Sequence, residues 1–418
     1  MQLFAPFSCA VYLATTAFVV GCGGGGDSGT GTGTGTVTGS TTSGAEAVGE
    51  AEGDFVTQAT KAKLPVLALA FTAPVDQEVL TVGIAATVAA RLKIDGVVAA
   101  DGTAIRFATP SAQFLPVLPT MRNGLAATAF TASIPGPHTI TASVQSGLQT
   151  ATAVRTVHVR PAPVPLEILV PAYFSPSDTS HWATMTAGAA AHPTLAVTAI
   201  MNPNNGIFTA ADPDYLRALT QFAAVGGKTV GYVYTGYGTG SRSLASIKAN
   251  IDRYLAVYGR KLIGGFFLDE MASDPRRLAF YQEIHRHIKA HDPTLRIIGN
   301  PGAMPDPVFA GAADTLVTFE DRSTAYARYD PRANNAWLYL HGNRRQAALV
   351  HDASCAAMQR AVGLAATARY NAGPVYMTNL KFNPETGVGD PWKALPGYWM
   401  QLLDTVSAAN RGVAPTAG

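Results

Sequence analysis

The fold of this chain is decided by the stretch LIGGFFLDE, residues 262–270. Its continuous apolar run is typical of a parallel strand that is buried on both faces. The acid–proline pair Asp274-Pro275 then gives a helix start signal, and an amphipathic helix is predicted over Pro275–Ala290. A buried strand followed by an amphipathic helix is one βα unit of an α/β fold.

The same unit recurs along the chain from Leu166 onward. The predicted strands are Leu166–Tyr173, Leu195–Met201, Lys228–Tyr234, Leu262–Leu268, Leu295–Gly299, Asp314–Phe319, Ala347–His351 and Pro374–Thr378. The other predicted helices are Asp212–Ala224, Ser243–Tyr258 and Ser354–Tyr370. Eight such units in roughly 250 residues match the size of a (β/α)8 TIM barrel. A doubly wound open sheet is the alternative, but no Gly-rich dinucleotide fingerprint follows the first strand.

A different pattern precedes the barrel. Between residues 54 and 160, short runs rich in Val, Ala, Thr and Ile alternate with turn residues, which predicts an all-β domain. The segments Asn123–Phe130 and Pro135–Val144 resemble the closing strands of bacterial immunoglobulin-like domains of the invasin type. This resemblance implies a small immunoglobulin-like sandwich that serves as a spacer. Prolines 161, 163 and 165 then form a stiff linker to the barrel, which is predicted over residues 164–418.

The first 53 residues carry targeting information rather than a fold. The apolar run Val11–Val20 is too short to span a bilayer, so residues 1–21 are predicted to be a signal peptide. The run ends in VVGC, which resembles a bacterial lipobox and implies a lipoprotein whose lipidated residue is Cys22. An ordinary cleaved signal is the alternative, because no Lys or Arg lies between Met1 and Cys9. Residues 22–53 are Gly- and Thr-rich and are predicted to be a flexible linker.

These signals predict a secreted protein. We expect the chain to cross the inner membrane and to be held by its lipid at the outer membrane, facing the periplasm or the cell surface. Its membrane contact is therefore the N-terminal lipid anchor.

The composition excludes several classes of function. A net charge of +2 with 14% charged residues gives no electrostatic footprint for nucleic acid. The three widely spaced cysteines, at positions 9, 22 and 355, argue against a disulfide framework or a metal knuckle. The chain has no HExxH, Gly-x-Ser-x-Gly or P-loop motif. We expect a monomer with no metal and no organic cofactor.

Three acids follow two of the predicted strands. Asp269 and Glu270 end the fourth strand, and Glu320 follows the sixth. Burying an unpaired carboxylate costs several kcal/mol, so acids at the ends of buried strands favour a site at the C-terminal end of the barrel, here called the mouth. Glycoside hydrolysis needs two carboxyl groups on either side of the scissile bond. The alternative is that these acids are surface residues that pair with Arg276 or Arg322.

Aromatic and amide residues follow the other strands. The predicted substrate-binding residues are Tyr173, Asn202, Tyr232, Tyr234, Tyr237, Asn300 and Thr378. Aromatic faces with amide and carboxylate groups suit a sugar ring, which has apolar C–H faces and a rim of hydroxyls. The pattern therefore favours a carbohydrate site, although a single tyrosine is more often a core-packing residue than a sugar platform.

The strand ends carry a series of short motifs in a fixed order: VPAY at 170–173, MNPNNG at 201–206, VGYVYTGYG at 230–238, GGFFLDE at 264–270, GNPG at 299–302, FE at 319–320, YMTN at 376–379 and YW at 398–399. In this order the motifs resemble the spherulation-specific spherulin-4 family. The resemblance covers Leu166 to Asn410 and adds Trp399 to the predicted substrate-binding residues. It implies a (β/α)8 barrel and endo-acting hydrolysis of α-1,4-linked N-acetylgalactosamine polymers in exopolysaccharide. The turn Asn204-Asn205-Gly206 departs from the family pattern, so the sugar specificity stays open.

The family's catalytic acids fall on Asp269, Glu270 and Glu320. Our hypothesis gives Glu320 the role of general acid/base. Asp269 is the nucleophile or the group that orients the reacting acetamide or water, and Glu270 tunes the pair or binds substrate. The competing hypotheses are a carbohydrate-binding surface protein without turnover and an adhesin.

Overall fold

The computed structural model of the chain describes residues 64–176 and 179–412, in which an all-β region precedes a closed barrel. The strands of the first region are β1 (Leu67–Ala73), β2 (Glu78–Thr81), β3 (Ala86–Ile94), β4 (Val97–Val98), β5 (Arg106–Ala108), β6 (Ala112–Leu115), β7 (Ala126–Ala132), β8 (Gly136–Ser146) and β9 (Gln149–Arg160). The predicted signal peptide, the linker and Cys22 lie outside the described residues.

Two sheets make up the all-β region. One has the order β1-β3-β7-β6, with β4 paired to β3, and the other has the order β2-β9-β8-β5. Burial alternates along β7 and β8, as expected for strands with one face on a core. Phe130 of the first sheet and Phe107 and Ile140 of the second share that core. The predicted all-β region is confirmed, and its membership of the immunoglobulin-like class stays a prediction.

The barrel consists of eight parallel strands, each paired to the next, and its last strand closes on its first. The strands are β10 (Glu167–Ala172), β11 (Val197–Met201), β12 (Lys228–Tyr234), β13 (Gly265–Asp269), β14 (Arg296–Gly299), β15 (Thr315–Arg322), β16 (Gln346–His351) and β17 (Pro374–Met377). Their residues are almost all buried, which is why the sequence shows continuous apolar runs. The predicted (β/α)8 barrel is confirmed.

The helical layer around the barrel is uneven. The helices are α1 (Thr179–Ala191), α2 (Pro213–Ala224), α3 (Leu244–Tyr258), α4 (Leu278–His291), α5 (Ser323–Tyr326), α6 (Cys355–Ala365) and α7 (Trp399–Asn410). Only a 3-10 helix, Pro307–Gly311, joins β14 to β15 within the described chain. Among the described helices, none has the length and apolar character needed to cross a bilayer.

Two predicted helix boundaries are wrong. The Asp274 carboxylate accepts a hydrogen bond from Arg276 N at 3.0 Å, but this cap opens a 3-10 turn and α4 begins three residues later, at Leu278. The predicted helix to Tyr370 ends at Ala365. Beyond it lies the buried Asn371, with φ 47°, whose amide donates to two main-chain carbonyls at 3.1 Å. These tertiary hydrogen bonds stabilise a left-handed residue that a helix does not tolerate.

Strand β15 is longer than predicted, and this places Glu320 inside the strand. Its register with β16 shifts between Val317 and Phe319, which is a bulge. Its pairing with β14 stops at Leu316, whereas its pairing with β16 continues to Arg322. Glu320 therefore stands on a segment that overhangs its shorter neighbour, β14, and this leaves space for side chains from the loop after β14.

The all-β region contacts the end of the barrel opposite the mouth. Arg160 donates from Nη1 to Asn371 Oδ1 at 3.2 Å, and the ring of His158 stacks on Tyr339 at 5.1 Å between centroids. The main-chain N–H of Val164 donates to Asn343 Oδ1 at 2.9 Å. The barrel residues in these contacts precede β16 and β17, which marks the N-terminal end of the strands. The C-terminal mouth is thus not part of this contact.

Candidate active site

Asn300 connects two of the three predicted acids. Its Nδ2 donates to Asp269 Oδ1 at 2.9 Å and to Glu320 Oε2 at 2.8 Å. Because both oxygens bind one nitrogen, they lie no more than about 5.7 Å apart. The strand ends of β13 and β15 thereby place Asp269 and Glu320 in one site, and the loop after β14 joins them.

The side chain of Asn300 is itself held in place. It is 6% exposed, and its Oδ1 accepts a hydrogen bond from Gly302 N at 3.1 Å. Its main chain continues the sheet, because its N–H donates to Leu268 O and its carbonyl accepts from Met271 N, both at 2.8 Å. The Asn-Pro-Gly turn that follows β14 therefore presents the amide N–H2 group toward the two acids.

Asp269 receives a second hydrogen bond from Tyr232. The phenol donates to Asp269 Oδ2 at 2.6 Å. The ring is buried and packs edge-on against Tyr173 at 5.4 Å and near Phe267 at 6.3 Å. Burial and the charge of Asp269 raise the pKa of the Tyr232 phenol far above its usual range, so it stays protonated and keeps donating.

Burial raises the proton affinity of both acids. Burial first, and then the charge of Asp269, raises the pKa of Glu320 to about 7, although hydrogen bonds from Asn300 and Trp392 oppose the rise. Burial also raises the pKa of Asp269, and hydrogen bonds from Tyr232, the Glu270 N–H and Asn300 oppose it. At neutral pH Glu320 is therefore partly protonated and can donate a proton.

Glu270 has a different environment from the other two acids. It lies in the left-handed region with φ 49°, and its carbonyl accepts from Tyr237 N and from Thr235 Oγ1, both at 2.7 Å. Burial and the charge of Asp269 raise the pKa of its carboxyl, whereas the Gly236 N–H and the charge of Arg242 lower it. The sequence left open which of the adjacent acids joins Glu320. In the structure Asp269 shares Asn300 with it, and Glu270 faces the loop after β12.

Arg242 is a functional candidate that the sequence analysis missed. It is 7% exposed and donates from Nη1 to Tyr234 O at 2.6 Å and from Nη2 to Asn250 Oδ1 at 2.7 Å. Its guanidinium lies 4.2 Å from the ring centre of Tyr234 and supplies the positive charge felt by Glu270. A single arginine in a Gly- and Ser-rich loop has no periodic signal in the sequence, so only the tertiary structure reveals it.

Trp392 is a second residue that the sequence analysis missed. It follows a short hairpin, β18 (Phe382–Asn383) and β19 (Val388–Gly389), between β17 and α7. Its side chain donates a hydrogen bond to Glu320, and its ring lies 5.9 Å from Tyr376 and 6.4 Å from His351. Because only the folded loop brings it to β15, no local pattern marks it.

Several predicted substrate-binding residues lie at the mouth. Tyr173 follows β10, and the charges of Asp269 and Glu320 add to burial in raising its pKa. Tyr234 and Tyr237 are half-buried on and after β12. Asn202 follows β11, and its Oδ1 is buried with no hydrogen-bond partner among the described residues. A buried oxygen of this kind is available to a ligand donor.

Thr378 lies in the turn after β17, and Trp399 lies in the helical layer. The Thr378 hydroxyl is buried and accepts from Leu380 N at 3.1 Å, which closes the turn after β17. Trp399 begins α7 and is 3% exposed, and its indole packs where a side chain on Gly188 of α1 would otherwise lie. The substrate-binding role of Trp399 stays a prediction, and Trp392 is the tryptophan that contacts Glu320.

The structure does not show the three acids as surface residues that pair with Arg276 or Arg322. Arg276 is exposed and pairs with Asp274 at 2.5 Å. Arg322 donates to Asn383 Oδ1 at 3.4 Å. The hydrogen bonds to Asp269 and Glu320 come from a phenol, an amide and an indole instead.

The fold and this site define a (β/α)8-barrel protein with a cluster of linked acids at its C-terminal mouth, the place where barrel enzymes carry their active sites. The sequence model of spherulation-specific family 4 matches residues 167–406, which is more than half of the chain. The chain belongs to this family.

The chain is similar to solved structures, the first of which shows the same barrel fold. The crystal structure of Aspergillus clavatus Sph3 in complex with GalNAc has a TM-score of 0.50 and 22% sequence identity, and the match covers 58% of this chain and 98% of that one. A family 39 glycoside hydrolase from Bacteroides cellulosilyticus WH2 has a TM-score of 0.37 and 11% identity, over 79% of this chain and 81% of that one. Comparison with curated proteins gave no match.

Proposed function

We propose that this protein is a glycoside hydrolase that cleaves within exopolysaccharide chains containing α-linked N-acetylgalactosamine or galactosamine. The observation that carries the proposal is the shared amide of Asn300, which holds the carboxyl groups of Asp269 on β13 and Glu320 on β15 together, with the pKa of Glu320 raised to about 7. Membership of the family and the GalNAc complex of Aspergillus clavatus Sph3 support the class of sugar.

Glu320 acts as the general acid. With a pKa of about 7 it keeps a proton near neutral pH and can deliver it to the leaving glycosidic oxygen. Once deprotonated it is stabilised by donors from Asn300 and Trp392. The same carboxylate can then take a proton from water in the second half of the reaction.

Asp269 acts on the anomeric side of the bond. Two neutral donors, Tyr232 and Asn300, occupy one lone pair of each of its oxygens and favour its charged form. The limit of about 5.7 Å between an oxygen of Asp269 and one of Glu320 brings both carboxyl groups within reach of one glycosidic bond. Asp269 serves as nucleophile or as the group that orients the substrate acetamide or water.

The surrounding residues bind the sugar. Tyr173 and Tyr234 offer ring faces and edges at the mouth, and the buried Oδ1 of Asn202 offers an acceptor for a hydroxyl or amide N–H. Glu270 lies next to Asp269 and within the electrostatic influence of Arg242. They position substrate groups that extend from the reacting sugar.

The test is hydrolysis of an amino-sugar polymer by purified protein. Wild-type protein should release new reducing ends and shorten the polymer, whereas Asp269→Asn and Glu320→Gln should lose at least about 100-fold in rate. Asp404→Asn removes a carboxylate on the exposed side of α7 and serves as the matched control. The proposal fails if both site variants keep wild-type rates. Binding of the polymer without release of ends would favour the carbohydrate-binding alternative.

We also propose that the protein is a monomer carried to the outer membrane on lipidated Cys22, with the all-β region as a spacer of the immunoglobulin-like class. The lipobox-like VVGC and the Gly- and Thr-rich segment support the anchor. Labelling of growing cells with a radioactive fatty acid should mark the wild-type chain and not the Cys22→Ala variant. Equal labelling of the two would refute lipidation at this residue.

A further inference from the structure

Two histidines and an aspartate converge on the outer surface of the barrel, away from the acids. His287 and His291 are one turn apart on α4, and Asp252 lies opposite them on α3. Each Nε2 atom lies 2.7 Å from the same oxygen, Asp252 Oδ1. The three ligand-capable atoms all lie within 4.8 Å of one another.

This arrangement matches what a transition-metal ion requires. Histidines four residues apart lie on the same helix face, the spacing by which helical metal motifs direct two imidazoles at one ion. In a tetrahedral site with bonds of about 2.0–2.2 Å, neighbouring ligand atoms lie about 3.3 Å apart. The carboxylate therefore has to recede from each Nε2 by only about 0.6 Å. The three side chains are 23–47% exposed, so such a rotamer adjustment meets little resistance.

The two lysines near the site form ion pairs with acids other than Asp252. Lys248 lies one turn before Asp252 on α3, but its ammonium pairs with Glu283 of α4 at 3.2 Å. Lys289, between the two histidines in sequence, pairs with Asp314 at 2.6 Å. A cation that enters the site thus meets one carboxylate and two imidazoles, with both nearby lysines held by other acids.

We propose that Asp252, His287 and His291 form a zinc site, with water as the fourth ligand. Two imidazole nitrogens and one carboxylate are a ligand set that Zn²⁺ accepts, and they are softer than the all-oxygen sets preferred by Mg²⁺ and Ca²⁺. The ion links α3 to α4, the helices that follow β12 and β13. Because those strands carry Tyr232 and Asp269, the link stabilises the half of the barrel that holds the site without taking part in the reaction.

The test is titration of Zn²⁺ into untagged protein, followed by calorimetry or by competition with a chromogenic chelator. His287→Ala and His291→Ala should each weaken binding at least 10-fold, and Asp252→Asn should weaken it by a smaller factor. His285→Ala is the matched control, because this histidine lies on the same helix but near Lys289 and Asp314. The reference protein, called wild type here, and all variants carry Cys355→Ser, so that the exposed thiol does not contribute.

Two further measurements read the site directly. Co²⁺ in place of Zn²⁺ should give the visible absorption of a tetrahedral site in the wild type and in the His285→Ala control, but not in His291→Ala. Saturating Zn²⁺ should raise the Tm of the wild type and of His285→Ala, because the ion binds preferentially to the folded state. It should leave the Tm of His291→Ala unchanged. The proposal is refuted if wild type shows no Zn²⁺ binding at 100 µM, or if His285→Ala loses as much affinity as His291→Ala.

Discussion

Replacing Asn300 with alanine tests the site most severely, because one side chain serves both acids. The change removes the donor at 2.9 Å from Asp269 and the donor at 2.8 Å from Glu320. A hydrogen bond to a charged group contributes about 1.5–3 kcal/mol. Only part of the free energy of these two hydrogen bonds stabilises the transition state. We therefore expect a loss of about 3 kcal/mol, or about 100-fold in kcat/KM.

Asn300→Ala should also move the pH profile of kcat/KM in a defined direction. The Asn300 hydrogen bond lowers the pKa of Glu320, so its removal raises that pKa above about 7. A general acid must be protonated, and the alkaline limb of the kcat/KM profile therefore moves to higher pH. The acidic limb also moves up, because Asp269 loses a donor that favours its charged form.

The assay is the initial rate of reducing-end release between pH 4 and 9. Asn300→Asp is the isosteric comparison, since it keeps the shape but replaces the donor with an additional acid and should cost more activity than alanine. Thermal unfolding of each variant separates lost folding from lost chemistry. A folded Asn300→Ala protein with the wild-type rate and unmoved limbs would refute the assignment of the shared amide to catalysis.

Three further predictions follow from single contacts. Tyr232→Phe removes the 2.6 Å hydrogen bond to Asp269, so kcat/KM should fall about 10-fold. The acidic limb of the pH profile alone should move to higher pH, because Asp269 loses a donor that lowers its pKa. An acidic limb at the wild-type pH would contradict a catalytic role for this hydrogen bond. Trp392→Phe removes the indole donor of Glu320 and should move the alkaline limb alone to higher pH, with a smaller loss in rate. Gly188→Ala places a methyl group against the indole at the start of α7, so the free energy of unfolding should fall by about 1–3 kcal/mol in a denaturant titration, while hydrolysis per folded molecule is unchanged.

The barrel was predictable because its strands are buried on both faces. Continuous apolar runs such as Ile263–Leu268 appear in the sequence whatever the details of packing. The length of β15 was not predictable in the same way. Its bulge between Val317 and Phe319 and its overhang past β14 depend on pairing with β16, which is remote in sequence. The overhang is what brings Glu320 within reach of Asn300.

The choice between Asp269 and Glu270 was also beyond the sequence. Alternation along an ideal strand gives adjacent residues opposite directions, but it does not say which direction meets Glu320. The left-handed φ of Glu270 is stabilised by hydrogen bonds from Thr235 and Tyr237, on the loop of another strand. A residue type that rarely adopts this conformation gives no local signal of it.

The donors of the site make it possible to separate two coupled titrations. The charge of Asp269 raises the proton affinity of Glu320, so the two limbs of a pH profile are coupled. Tyr232 contacts only the first acid and Trp392 only the second, whereas Asn300 contacts both. If the two acids divide the chemistry as assigned, Tyr232→Phe should move only the acidic limb and Trp392→Phe only the alkaline limb. Asn300→Ala should move both limbs, each in the same direction as in the single-contact variant. If either single-contact variant moved both limbs equally, the proton would be shared rather than held by Glu320, and the general acid would be the pair.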